Sequence, residues 1–479
     1  MKSSSTLKSN LFLRLVLIAV LAWTAPDPAT AQTFKVLHNF VIAVNGAYPD
    51  GALILSSNVL YGVAGGAPSG NGTVFRMNID GTAFTNLYYF SAGTNAFGAN
   101  SDGAIPDAGL ILSGNTLFGS AVFGGASGKG TIFRINTDGS AFTNLHSFVF
   151  SDGQNPYGGL LLLGNTLYGT TTFGGVVFAN SGTVFAVNTD GTGYTNLHVF
   201  TTLGVDGGAS YSGLIASGGT LYGTATGGGA MGYGVVFSVN TNGGGYSTLH
   251  SFPGTNNTPQ TEGIYPYSTL VLAGSLLYGT AYQGGDAGEG LVFSLTTDGA
   301  TYTKLHSFTS VSGFPLTNSD GAIPQAGLVL VGDTLYGTAI SGGTAGYGTL
   351  FAIKTNGTGF TNLHSMALND GANPHGGLIF MNNTLYGMAH TGGTPDPYGT
   401  IFSLSLTTVT PPTLMISLSG TNVVLAWPTN APGFTLQFTT NLAASAIWST
   451  NSSATTIVNG QFTVTNASPD TQKFYRLIQ

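Results

Sequence analysis

The chain has 479 residues, of which 6% are charged, 42% hydrophobic and 11% aromatic, with 74 glycines, no cysteine and a formal net charge of −7. Abundant apolar content with scarce charge excludes a disordered chain, and the lack of any basic stripe argues against nucleic acid as a partner. Without cysteine there is no disulfide, no thiolate chemistry, no Cys-ligated metal and no Cys-linked lipid anchor.

Residues 1–31 read as a secretory signal. Lys2, Lys8 and Arg14 supply positive charge, residues 11–22 are apolar apart from Arg14, and Ala29-Thr30-Ala31 fits a cleavage site that leaves Gln32 at the mature start. The apolar run is short for a membrane span and runs on into Pro26-Asp27-Pro28, so cleavage is expected, with no integral membrane segment in the mature chain. The predicted address is secreted, periplasmic or cell-surface, and the predicted state a monomer.

Beyond the signal the chain repeats itself. "LYG" or "LFG" begins at Leu60, Leu117, Leu167, Leu221, Leu277, Leu335 and Leu385, at spacings of 57, 50, 54, 56, 58 and 50. Each unit contains four strand-like runs bounded by turn residues; in the third unit they cover 159–163, 166–171, 182–188 and 194–200. The first two runs are joined through pairs such as Gly114-Asn115 and Asn382-Asn383, the last two through "NTDG" turns such as Asn136 to Gly139. These residues tolerate the positive φ of tight hairpins. Alternation in "TVFAV" has period two, and no helix is expected.

Four antiparallel strands per unit of this length are blade-sized for a β-propeller. The predicted fold is all-β: a seven-bladed propeller of four-stranded blades over 32–408, plus a small β-sandwich over 413–479. Residues 34–40 form a fourth strand with no first three before it, and residues 399–405 a third strand with no fourth after it. Pairing the two completes the seventh blade from both ends and closes the ring, which removes exposed sheet edges.

The runs "LYGTA..GG" and "GTVF.VNTDGT.FTNLHSF" resemble the GloVer tandem repeat of exported bacterial proteins, over about residues 34–406. That resemblance implies a propeller-like fold and bacterial export, and no particular activity. Pro411-Pro412 marks a boundary. Beyond it, runs at 414–418, 422–427, 434–438, 457–458, 462–464 and 474–478 read as strands, with Trp427 and Trp448 in their core; the segment looks like fibronectin type III-like modules.

The order of strands sorts the loops onto two faces. One carries the stereotyped "GN" and "NTDG" turns. The other carries the second-to-third loops and the crossings between units, which vary in length and suit ligand recognition on a rigid scaffold. The crossings hold an acidic residue before glycine at Asp102, Asp152, Asp206, Glu262, Asp320 and Asp370, with Asn45 in the first unit. As a turn residue it serves the repeat; as a ring of six carboxylates it is a candidate cation site, with calcium as the ion. Six histidines, at 38, 146, 198, 250, 306 and 364, occupy one fourth-strand position and read as structural. His375 and His390 stand apart in the last unit, with Asp370 and Asp396 nearby, and form a candidate metal or acid–base pair. Tyr282 and Tyr347, with Tyr157, Tyr211 and Tyr267 on the crossings, are candidate ligand-binding aromatics.

These features favour an exported, non-catalytic binding or scaffold protein that recognises carbohydrate or a cell-surface component on the variable face. The alternatives are a polysaccharide-acting lyase or glycosidase on that same face, and a purely structural surface protein. The sequence assigns no catalytic residues and no cofactor, and a glycosidase would need a paired-carboxylate constellation.

Overall fold

The computed structural model describes residues 32–67, 70–93, 98–175, 180–201, 204–253, 261–406, 413–429, 434–441, 448–467 and 473–478. The signal segment and Pro411-Pro412 lie outside these residues. Among those described there is no helix, and no helix is long and apolar enough to cross a membrane.

Residues 32–406 form one compact unit containing seven four-stranded antiparallel sheets. The third consists of Leu161–Leu163, Thr166–Thr171, Thr183–Asn188 and Thr195–Val199, the four runs that alternation and turn residues predict. Five others repeat this plan in chain order. The seventh is assembled from both ends of the unit: Ile379–Met381, Thr384–Ala389 and Thr400–Ser405 are completed by Thr33–Asn39. That last pairing is antiparallel, with Phe34 opposite Leu404 and Asn39 opposite Thr400.

The repeated "LYG" follows from packing. Leu60 is fully buried, and Gly62 lies opposite Phe75 of the third strand. A Cβ on Gly62 would come within 2.5 Å of the Phe75 ring and 3.0 Å of Leu53. The same collision awaits a side chain at Gly119, Gly169, Gly223, Gly279, Gly337 and Gly387. The phenylalanine fills the space the glycine leaves; burying such a ring contributes about 2–3 kcal/mol.

The apolar clusters lie between sheets. Tyr61, Val63 and Val74 of the first sheet pack against Leu110, Leu117 and Phe133 of the second. Equivalent clusters join the second to the third sheet, and so on to the sixth and seventh. A last one brings Tyr386, Met388 and Ile401 of the seventh sheet against Leu60, Phe75 and Met77 of the first. The seven sheets are therefore linked in a cycle, a propeller-like arrangement.

The fourth strand carries a second cycle. Its register shifts by one residue, so that Leu145 and its equivalents bulge. The residue after the bulge stacks flat on an aromatic ring of the next sheet. His38 lies on Phe84, Tyr88 on Phe142, His146 on Tyr194 and His198 on Tyr246, with centroids 3.7–3.9 Å apart. His250 on Tyr302, His306 on Phe360 and His364 on Phe34 continue the series. The bulge also receives a turn. Gly139 of the "NTDG" hairpin has φ +88°, and a Cβ there would stand 2.8 Å from the carbonyl oxygen of Leu87 in the preceding sheet. The turn glycine thus meets both a conformational and a steric demand.

The C-terminal segment belongs to a separate unit. A four-stranded sheet (Met415–Ser419, Asn422–Pro428, Gln461–Ala467, Thr456–Val458) and a three-stranded one (Ser449–Thr450, Thr435–Thr439, Phe474–Ile478) share one core of Val423, Leu425, Trp427, Leu436 and Val464. Trp427 is 3% exposed. Trp448 lies instead beneath the Arg476 guanidinium, 4.2 Å away, and is only half-buried.

Candidate functional site

Each crossing between sheets runs back beside the end of a second strand, held by a single bridge such as Ala104 to Phe123 or Ala372 to Thr391. The residue after the bridge has positive φ in all seven units: Tyr48, Ile105, Asn155, Ala209, Tyr265, Ile323 and Asn373 lie between 50° and 60°. This is costly for β-branched Ile105 and Ile323, and its presence in every unit makes it part of the scaffold. Two residues further on, the chain presents Asp50, Asp107, Tyr157, Tyr211, Tyr267, Gln325 and His375 in turn. Several of these residues meet their successors. Tyr157 and Tyr211 rings are 5.1 Å apart, Tyr211 and Tyr267 5.0 Å, and His375 reaches Asp50 at 2.9 Å. One position of the repeat thus lines a ring whose residues differ from unit to unit.

One arc of the ring is acidic and imidazole-bearing. Asp50 Oδ1 accepts hydrogen bonds from His375 Nδ1 at 2.9 Å and His390 Nδ1 at 2.6 Å. The two imidazoles stack at 4.5 Å, 15° from parallel. His390 enters from the extension of the second strand in the seventh sheet, where the other units carry Gly65, Val122, Thr172, Thr226, Tyr282 and Ile340. Tyr48 leans on the His390 ring, 5.2 Å away. Burial acts to raise the Asp50 pKa, but the hydrogen bonds from His375 and His390 outweigh it and hold this carboxyl below the usual range. Burial, the Asp50 charge and a hydrogen bond to Asp50 push Asp107 well above that range. The two carboxyls are thus pushed in opposite directions, Asp50 toward its ionised form and Asp107 toward its protonated one.

The opposite arc is aromatic. Tyr211, Tyr265, Tyr267 and Tyr282 line a cavity of about 350 Å³ together with Ala209, Thr226, Gly227 and Gln283. The Tyr267 and Tyr282 rings are 5.0 Å apart and tilted by 53°. Burial raises the pKa of Tyr211 and Tyr267, so both hydroxyls stay protonated and able to donate.

Among the described residues, the six acidic crossing residues do not come together as a cluster of potential ligands. Each faces the fourth strand of the preceding sheet, and all but Glu262 are hydrogen-bonded there. Asp152 pairs with His146 at 3.0 Å, Asp206 with His198 at 3.0 Å, Asp320 with His306 at 3.2 Å and Asp370 with His364 at 3.0 Å. Asp102 accepts from the Tyr88 hydroxyl at 2.8 Å, and Glu262 stands 3.7 Å from His250. In the first unit Asn45 meets His38 at 2.9 Å. Asp102, Asp152, Asp206, Asp320 and Asp370 also accept backbone N–H groups that follow the fourth strand, as Asp152 does from Val149. The carboxylates are thus held by neighbouring imidazoles, hydroxyls and amides rather than gathered around one point. His375 and His390 do come together, but their carboxylate is Asp50 of the first unit rather than Asp370 or Asp396. Tyr282 lines the cavity, whereas Tyr347 is half-buried and packs against the cluster of Leu350, Met366 and Leu378.

Asp50, Asp107 and Gln325 escape a reading that follows the acidic residue four positions ahead of the proline. Aligning the units on the proline that precedes them, as in Pro49, Pro106 and Pro374, exposes the variable column.

The profile of the Gloeobacter/Verrucomicrobia repeat matches residues 94–261 and 255–447. No curated protein matches the chain. Among solved structures it is similar to an oligogalacturonate lyase from Vibrio parahaemolyticus, at 11% identity and a TM-score of 0.48, over 78% of this chain and 93% of that one. It is also similar to a puromycin-hydrolyzing peptidase from Mycobacterium tuberculosis, at 12% identity and a TM-score of 0.46, over 82% of this chain and 60% of that one. A nidogen/laminin complex contains a third similar chain, at 15% identity and a TM-score of 0.36, over 55% of this chain and 81% of that one.

Proposed function

The chain belongs to the Gloeobacter/Verrucomicrobia repeat family, and from that premise we propose an exported, closed seven-bladed propeller, followed by a small β-sandwich, that binds a saccharide on its crossing face without transforming it. The observation that carries this reading is the tyrosine-lined cavity of about 350 Å³ formed by Tyr211, Tyr265, Tyr267 and Tyr282. Its size is that of a small-molecule site. Tyrosine faces offer apolar area to the C–H faces of a sugar ring, and their hydroxyls, with Gln283 and Thr226, offer donors and acceptors to its hydroxyl groups. Export is supported by the signal pattern of residues 1–31.

A glycan array probed with the full mature chain tests the reading. Binding that is lost in Tyr211→Ala and Tyr267→Ala, with melting unchanged, supports it; an array without hits, or hits indifferent to both substitutions, overturns it. The opposite pKa shifts of neighbouring Asp107 and Asp50 favour a second reading, acid–base catalysis on the same face. A reducing-sugar assay on the array hits separates the two.

A further inference from the structure

We propose that Asp50, His375 and His390 form a binding site for one divalent transition-metal ion, with zinc the best fit. The proposal stands independently of the saccharide reading. Three metal-ligating side chains meet here from positions 325 and 340 residues apart in sequence. They form the single group of three such side chains among the described residues whose ligand atoms lie within 4.8 Å of one another. The repeat does not account for them. His390 stands where the other units carry glycine, valine, threonine, tyrosine or isoleucine, and no other unit places a histidine in the ring position of His375.

The donor set selects the ion. Two imidazole nitrogens and one carboxylate oxygen suit zinc and its first-row neighbours, and leave positions open for water or a ligand. Calcium requires six to eight oxygen donors. In a tetrahedral zinc site adjacent donors stand about 3.3 Å apart, from metal–ligand bonds of about 2.0–2.1 Å. Here the two N···O distances are 2.9 and 2.6 Å. The ion therefore takes the Nδ1 lone pair of each neutral imidazole, whose single proton moves to Nε2, and opens each contact by about half an ångström. The side chains have room for that shift, being 18–27% exposed.

The test uses the untagged full mature chain, stripped with chelator, dialysed against zinc chloride and passed through gel filtration before elemental analysis. One zinc per chain is expected. Asp50→Ala and His390→Ala should each lose it while the circular dichroism spectrum stays native. Cobalt gives a second readout that needs no variant: the native chain should show the intense visible bands of four- or five-coordinate cobalt, bleached by an equivalent of zinc. A native chain that elutes without zinc and leaves cobalt with its weak hexaaquo spectrum overturns the proposal. So does zinc retained unchanged by folded Asp50→Ala and His390→Ala.

Discussion

His364 in the sixth sheet stacks on Phe34 in the strand that begins the unit, with ring centroids 3.9 Å apart and planes within 7°. Six other contacts of this kind pass from each sheet to the next, and this one closes the series. Thr33–Asn39 also supplies the fourth strand of the seventh sheet. Removing residues 32–41 should therefore lower the melting temperature of the whole unit, since an opened cycle loses a strand and two stacks together. Phe34→Ala, at a half-buried ring, should cost about 2–3 kcal/mol in denaturant titration. A melting curve indifferent to the deletion would falsify the closure.

The stacked histidines predict the acid limb of stability. Burial pulls His38 and His250 from the ordinary value of 6.5 down to about 4. Between those values the unfolded chain binds more protons than the folded one, so stability falls as pH drops through that window and is fully present above it. His250 is the clean case for a test, because among the described residues its buried Nε2 has no hydrogen-bond partner, and Glu262, at 3.7 Å, is too far for one. His250→Phe keeps the stack on Tyr302, which lies 4.4 Å away. It should leave stability at pH 8 nearly unchanged and reduce the loss between pH 7 and pH 4 by about 1–2 kcal/mol after solvent screening. An acid limb of unaltered slope would exclude this account.

Much of the architecture was legible because its signals are local. "LYG" reports a phenylalanine lying over a glycine, "NTDG" a turn docking on a bulge, and the incomplete first and last units the strand that joins them. The acidic arc was not legible, because Asp50 and His375 are 325 residues apart and meet only when the cycle closes. The regular "DG" signal also drew attention from the variable residue after proline: Asp152 and Asp370 look like a converging ring in sequence, yet each is bound by the histidine of the strand just before it. Tyr347 illustrates a further limit, since a tyrosine that packs on a core and one that lines a cavity carry the same letter.

The repeat also records its own improvements. Ala83 and Ala141, both exposed, have φ of 56° and 55°. At the same place after the "NTDG"-type turn, other units carry Gly193, Gly245 and Gly359, at 63–66°. Left-handed backbone costs an alanine about 1 kcal/mol, and glycine little. Ala83→Gly and Ala141→Gly should each raise stability by about 0.5–1 kcal/mol, and the pair should add, being in separate turns. Loss of stability in chemical denaturation would show that the backbone relaxes differently with glycine.

Tyr282 and Tyr347 should part company on substitution. Tyr282 lines the cavity and tilts against Tyr267, so its ring is a surface for a ligand. Tyr347 packs on Leu350, Met366 and Leu378, and its carbonyl accepts the amide of Asn373. Tyr282→Ala should weaken saccharide binding by about tenfold or more, the worth of one lost aromatic contact of about 1–2 kcal/mol, with a small change in melting. Tyr347→Ala should do the reverse, costing about 1–3 kcal/mol of stability through the space left beside the core and leaving the affinity of the folded fraction intact. Asn136→Ala, in an "NTDG" turn, should leave binding unchanged. Calorimetric titration with the strongest array hit, paired with denaturant unfolding of each variant, measures both quantities. Equal binding losses in Tyr282→Ala and Asn136→Ala would place recognition somewhere other than the tyrosine arc.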